Sequence, residues 1–173
     1  MNTVSVIIPN YNRTGLINET VRNVLAQSLC PYEVIVVDDG STDDSVISLQ
    51  AEFGDQIQII TQANQGPGAA RNAGLNIATG EFVWLMDSDD LASLNKLETQ
   101  VDALTRREAD IVYSPWGRFF IDEASVKLSG PVLQQRCVPS RRSELDWFLT
   151  DWSLVFQHCL FRSSILKLSL IHI

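Results

Sequence analysis

Three acids fall within four residues in Trp84-Leu85-Met86-Asp87-Ser88-Asp89-Asp90, directly after an apolar run. Carboxylates crowded at the mouth of a buried strand repel one another and lose hydration, so the cluster is costly unless a positive charge sits among them. A divalent cation meets that need: Mg²⁺ and Mn²⁺ take oxygen ligands and usually share them with a substrate phosphate. The chemistry indicated is that of a phosphorylated ligand held through a metal, with a nucleotide sugar as the leading candidate. The competing possibility is a solvated acidic loop. Asp-x-Asp-Asp alone does not separate the two, because short acidic motifs often match by chance.

Whether other polar segments reach the same place depends on the elements around them. Val4-Ser5-Val6-Ile7-Ile8, ended by Pro9, reads as a strand buried on both faces. The polar turn Asn10-Tyr11-Asn12-Arg13 follows it. Thr14 is a candidate N-cap for a helix with Ile17, Val21, Val24 and Leu25 on one face. A second buried strand over 33–37 runs into Asp38-Asp39-Gly40-Ser41-Thr42-Asp43, where Gly40 permits a tight turn and Ser41 or Thr42 can cap the next helix. A short strand over 57–61 precedes Asn64-Gln65-Gly66-Pro67-Gly68-Ala69-Ala70-Arg71. Pro67 suits the first turn of a helix there. The fourth strand spans 81–87, an amphipathic helix carries Leu94, Leu97, Val101 and Leu104, and a fifth strand spans 110–114. Further on, an edge strand is expected at 119–121, loop at 123–142, a short helix over 144–149, and a strand over 155–161 leading into a helix at Ser163-Ser164.

Strands alternating with helices predict an α/β fold, a mainly parallel sheet covered on both sides. In such sheets ligands bind beyond the carboxyl ends of the strands. Tyr11, Asp39, Arg71 and the acids from Asp87 to Asp90 all fall at that edge, a convergence that a chance acidic loop does not explain.

Composition narrows the partners. The chain has 173 residues, 45% hydrophobic and 20% charged, enough for one domain with a sizeable core. A net charge of −8 leaves no basic stripe for nucleic acid. Cys30, Cys137 and Cys159 form no C-x-x-C pair and are expected as free thiols, and the two histidines have no zinc spacing. No apolar run reaches membrane-spanning length and no signal peptide is evident, so a cytoplasmic location is expected, with peripheral attachment to the membrane's cytoplasmic face left open.

In order and spacing, VSVIIPNYNR, VDDGSTDDS, NQGPGAARNAG and WLMDSDD resemble the family 2 glycosyltransferases of the GT-A fold, closely over residues 3–115 and more loosely over 150–166. The resemblance implies a three-layer α/β/α sandwich. Residues 1–115 would form the nucleotide-sugar-binding subdomain and 116–173 a partial acceptor-side region of the same domain. It further implies a nucleotide-diphosphate sugar donor, UDP-linked by preference, with Mn²⁺ or Mg²⁺. The sugar would pass with inversion to a hydroxyl of a glycan, a lipid-linked sugar or another compound, in polysaccharide or glycoconjugate synthesis.

Roles carry over onto matching positions as implications of that resemblance. Asp39 would recognise the base, since a carboxylate accepts only and suits the N3–H of uracil but not the bare N3 of cytosine. Asp38 joins it in the nucleotide-binding set, although either acid could instead cap the next helix. Tyr11 would stack on the base and the carbonyl of Pro9 would reach it. Arg71 would contact the nucleoside or the diphosphate, or pair with a neighbouring acid. Asp89 is the expected metal ligand. Asp87 and Asp89 would face the same way on one extended segment, with Asp87 at the ribose or a metal-bound water and Ser88 in the nucleotide-binding set. Asp90 would orient the metal shell or the donor sugar, and His158 is a candidate on the acceptor side.

Two departures stand out. Leu94 occupies a position where the family commonly has proline. After Ile165-Leu166, Lys167 to Ile173 do not match the family's continuation toward its acidic base. The base is therefore expected to be absent from this chain, which would bind donor yet transfer sugar poorly. The alternatives are a nucleotide-sugar-binding domain without turnover and, lower, a nucleotidyltransferase. The latter would need a basic Gly-rich loop where Pro9-Asn10-Tyr11-Asn12-Arg13 stands.

Overall fold

A computed structural model describes residues 2–114, 118–122, 125–129 and 158–169. The first four strands are β1 (Val4–Asn10), β2 (Glu33–Asp38), β3 (Gln58–Thr61) and β4 (Phe82–Leu85). Between and after them run α1 (Leu16–Leu25), α2 (Ser45–Phe53), α3 (Pro67–Ile77) and α4 (Lys96–Arg107). Then come β5 (Ile111–Tyr113), β6 (Arg118–Asp122), β7 (Ser125–Ser129), β8 (Cys159–Arg162) and α5 (Ser163–Ser169). Six strands form one sheet in the order β3-β2-β1-β4-β8-β5. β1 pairs in parallel with β2 and β4, and β2 with β3, whereas β8 lies antiparallel between β4 and β5. The sheet is thus mainly parallel, and the expected fifth strand is separated from β4 by one that arrives much later in the sequence.

Alternation along β1 divides the core. Val4, Val6 and Ile8 pack with Ile17, Val21 and Val24 of α1, Leu49 and Phe53 of α2, and Leu97, Val101 and Leu104 of α4. On the other face Ile7 packs with Ile35, Val37, Ala70 and Leu75 of α3, Phe161 and Leu166. Helices therefore cover both faces, and the α/β/α sandwich is as expected. α3 lies especially close to the sheet at Gly74. A Cβ there would collide with Ile7 Cγ2 and come within 3.2 Å of Val37 Cγ2.

Local differences have local causes. α1 begins after Gly15 and Thr14 does not cap it: the Thr14 hydroxyl lies 3.3 Å from Ser45 Oγ, and its amide donates to Asp43 Oδ2 at 3.0 Å. α2 begins at Ser45 and not at Ser41 or Thr42, since Ser41 Oγ accepts from the Asn12 amide at 2.9 Å and the Thr42 hydroxyl donates to Asn12 Oδ1 at 3.4 Å, where the Thr42 amide also donates at 2.8 Å. The β1–α1 and β2–α2 loops are stitched to each other. β7 replaces part of the loop expected at 123–142: Ser-Val-Lys-Leu-Ser alternates with the period of a strand, and β6 pairs with it as an antiparallel hairpin. The short helix over 144–149, the start of the strand expected at 155–161, and Cys137 lie outside the described residues.

Candidate functional site

β2 and β3 lie on one side of β1 and β4 on the other, so the strand order reverses at β1, and a crevice opens beyond the carboxyl ends of β1 and β4. A cleft of about 430 Å³ occupies it. Pro9, Asn10, Tyr11 and Arg13 line it from the end of β1, and Asp39 from the end of β2. Asn64, Gly66, Pro67 and Arg71 line it from the start of α3, and Asp87, Ser88 and Asp89 from the end of β4.

The end of β2 holds two acids with different surroundings. Asp38 turns inward. It accepts from Asn10 Nδ2 at 2.9 Å and from the Ser41 amide at 3.0 Å, and it does not line the cleft. Asp39 is equally buried but lines the cleft. Its Oδ1 accepts from Gln62 Nε2 at 2.7 Å and the Gln65 amide at 2.9 Å, and its Oδ2 from the Gly66 amide at 2.8 Å. Burial pushes its carboxyl pKa up, but these three donors outweigh it and hold it below the usual range. A carboxylate offers about four acceptor positions. Three are filled, two on Oδ1 and one on Oδ2, so Oδ2 keeps the capacity to accept once more. The loop that carries it depends on Gly40, whose φ of 78° suits glycine and whose Cβ would lie 3.0 Å from the Asn64 amide nitrogen.

β4 delivers the acids differently from expectation. The Met86 amide makes the last bond to β1, donating to Ile7 O at 2.9 Å, and the chain then turns, with Asp90 N donating to Asp87 O at 3.3 Å. Charged residues cannot continue into a strand buried on both faces. Asp87 and Asp89 therefore reach the cleft from a turn and not from one face of an extended segment. Arg71 Nη2 donates to Asp87 Oδ1 at 2.6 Å, while the buried Nε of Arg71 has no hydrogen-bond partner. Arg13 Nε lies 3.5 Å from Asp89 Oδ2. Asp90 is not among the lining residues.

The polar face of α1 fastens the segment after the acids. Thr20 Oγ1 donates to Asp90 O at 3.0 Å. Asn23 both donates to Ala92 O at 2.9 Å and accepts from Ala92 N at 2.8 Å, and Gln27 Nε2 donates to Ser93 O at 2.9 Å. This ladder, like Arg13, was missed in the sequence. Its signal is polar residues at helical spacing where α1 should be burying a second face.

His158 is half-buried and does not line the cleft. Its carbonyl accepts from Gln100 Nε2 at 2.9 Å and from Lys96 Nζ at 3.2 Å. Burial lowers its imidazole pKa to about 4, the Lys96 ammonium adding to the effect and Asp87 opposing it. Lys96 is itself pushed down to about 8 by burial. The His158 ring is neutral at pH 7. Among the described residues Cys30 and Cys159 form no disulfide, and burial raises the Cys159 thiol to about 11.

Among the described residues no three histidine, cysteine or acidic side chains converge as a closed metal cage. Mg²⁺ and Mn²⁺ do not need one: one or two carboxylates, water and substrate phosphates suffice. Asp87 and Asp89 at the rim of an open cleft fit that pattern.

Comparison with known proteins identifies the family. The model of "Glycosyl transferase family 2" matches residues 5–168. The chain belongs to this family. In sequence it is 35% identical over 112 residues to the Escherichia coli UDP-Glc:alpha-D-GlcNAc-diphosphoundecaprenol beta-1,3-glucosyltransferase WfgD, covering 64% of this chain and 44% of that one. In structure it resembles S. aureus TarS with a TM-score of 0.68 and 25% identity, over 95% of this chain and 29% of that one. It also resembles the mannosyltransferase PcManGT from Pyrobaculum calidifontis, solved with GDP-Man and Mn²⁺, with a TM-score of 0.57 and 32% identity over 66% of this chain and 35% of that one. The chain spans less than half the length of each of these three proteins. Among the described residues no helix is long and apolar enough to cross a membrane.

Proposed function

We propose that the cleft binds a nucleotide-diphosphate sugar, UDP-linked by preference, and that the protein transfers the sugar with inversion to an acceptor hydroxyl in polysaccharide or glycoconjugate synthesis. The observation that carries this is the convergence in one crevice of an acceptor-only group, Asp39, a cation with an unpaired donor, Arg71, and two acids, Asp87 and Asp89. The open position on Asp39 Oδ2 suits a ring N–H of the base. Uracil and guanine both present one, consistent with a UDP-Glc enzyme and a GDP-Man enzyme among the relatives. Tyr11, 46% exposed at the rim, is free to lie against the base, and Pro9 and Ser88 close the walls around it. Arg71, which lines the cleft, would donate to a ribose or phosphate oxygen.

Asp89, with Asp87, would hold Mn²⁺ or Mg²⁺, and a bound cation would neutralise the departing diphosphate. Residues 1–115 would serve the donor. Residues 116–173 would contribute to the acceptor side, where a glycan or lipid-linked sugar would approach. Work at the cytoplasmic face of the membrane would suit such an acceptor.

Calorimetric titration tests this. With Mn²⁺ present, UDP should bind more tightly than CDP by about 5- to 150-fold, the equivalent of about 1–3 kcal/mol for one mismatched buried polar contact. Asp89→Asn should remove the Mn²⁺ dependence while leaving the circular dichroism spectrum unchanged. Equal constants for UDP and CDP would reject the role of Asp39, and an unaltered Mn²⁺ response in Asp89→Asn would reject that of Asp89.

A further inference from the structure

The two acids at the cleft are engaged unequally. Arg71 and Asp87 meet at 2.6 Å between side chains only 16% and 31% exposed. Arg13 and Asp89 meet at 3.5 Å between side chains 47% and 46% exposed. A pair of the second kind is weakened by solvent and salt and exchanges readily. Yet the root of Arg13 is fixed. Its amide donates to Ser45 Oγ at 3.2 Å, and the flanking amides of Asn12 and Thr14 donate to Ser41 Oγ at 2.9 Å and Asp43 Oδ2 at 3.0 Å. Hydrogen bonds from Ser45 and Thr14 overcome the effect of burial and hold Asp43 at about 2, so this fastening stays charged at neutral pH. The guanidinium, which also donates to Asn12 O at 3.4 Å, thus extends from an anchored backbone into a cleft that Asp89, Asp87 and Arg71 also line.

We propose that Arg13 is a tethered cation that neutralises Asp89 while the cleft holds no divalent ion, and that it turns onto the donor diphosphate once such an ion has displaced it. This rests on the reading of the cleft as a metal-assisted nucleotide-sugar site. Two cations at contact distance on one exposed carboxylate repel each other, so Arg13 and the ion exclude one another there. A diphosphate offers the displaced guanidinium a better partner, because its planar fork matches phosphate oxygens. Arg13 therefore opposes ion binding in the empty cleft and favours nucleotide binding in the loaded one.

Opposite signs are the signature. Arg13→Gln is titrated by calorimetry at low ionic strength, first with Mn²⁺ alone and then with UDP at saturating Mn²⁺. Mn²⁺ affinity is expected to rise about 2- to 5-fold, as for loss of an exposed ion pair. UDP affinity is expected to fall about 10-fold or more, as for loss of a charged hydrogen bond. Arg22→Gln removes the same charge from its pair with Glu52, outside the cleft, and sizes the general charge effect. The proposal is overturned if Arg13→Gln weakens both ligands, which would mark a structural role. It is equally overturned if Arg13→Gln matches Arg22→Gln, or if UDP affinity is unchanged. Asp89→Asn separates the levels. If it leaves Mn²⁺ binding intact, the metal reading beneath the proposal is wrong. If it abolishes Mn²⁺ binding while Arg13→Gln has no effect, Arg13 alone is misassigned.

Discussion

Asp39 shows how much a single carboxylate can organise. Its three donors come from a segment more than twenty residues downstream, so one side chain ties the end of β2 to the entrance of α3. Asp39→Asn would place an amide NH₂ against at least one backbone N–H in either orientation. The expected cost is about 1–3 kcal/mol of stability, read by urea denaturation, together with weaker UDP binding. The pH dependence has a definite sign. A carboxyl held below its unfolded value contributes stability that is present above about pH 4 and lost as pH falls through the depressed folded value. Asp39→Asn should flatten the acid limb of the stability curve, and an unaltered limb would show that the three donors do not act on the ionised form. At this scale the sequence was informative where residue type alone decides. An acid after a strand, an arginine after a Gly-Pro-Gly turn and paired acids all reached the cleft. It was uninformative where direction decides, as between Asp38 and Asp39, or where a lone side chain such as Arg13 carries no spacing signal.

Among the elements, α3 has the strictest position. Arg71 rides on it, and its distance from the sheet is set at Gly74. Gly74→Ala would improve helix propensity in an isolated peptide, but here the added methyl meets Ile7 and Val37. Overpacking of this kind costs about 1–3 kcal/mol and moves α3 outward. The expected result is a lower midpoint in thermal melting together with weaker UDP binding, since the Arg71–Asp87 pair is displaced with the helix. A melting midpoint at or above that of the parent would mean that Ile7 rotates away without cost. The strands and helices of the first half were legible because hydrophobic period and turn chemistry agree there. The exact starts of α1 and α2 were not, because their candidate caps are spent on joining two loops. β7 was overlooked because Gly130 and Pro131 beside it suggested a loop.

For the molecule as a whole, the decisive feature is the place of β8. Period and composition could suggest a strand near residue 160, but nothing local says that it enters between β4 and β5. That is a matter of which partners remain unpaired once the parallel strands have formed. β8 is held there by sheet bonds on both sides. The buried Lys96 and Gln100 side chains of α4 add to this at the His158 carbonyl, to which the Ser114 amide also donates at 3.0 Å.

β4 ends at Leu85 and β8 begins at Cys159, so the middle of the sheet cannot close until distant chain has arrived. Closing a long loop costs entropy before any contact repays it, and contacts of high sequence separation form slowly. The strands up to β4, with α1 to α3, can assemble first and leave the far edge of β4 unpaired for a time. An exposed strand edge of that kind, Phe-Val-Trp-Leu, is a template for pairing with another chain. Assembly order should also persist in the finished protein as a gradient of local opening. Native-state hydrogen exchange is expected to release the amides of Cys159–Arg162 and Ile111–Tyr113 through a lower-energy opening than those of Val6, Ile7 and Ile8. Equal protection across the sheet would instead mean that the late-arriving strand, once seated, unfolds only with everything else.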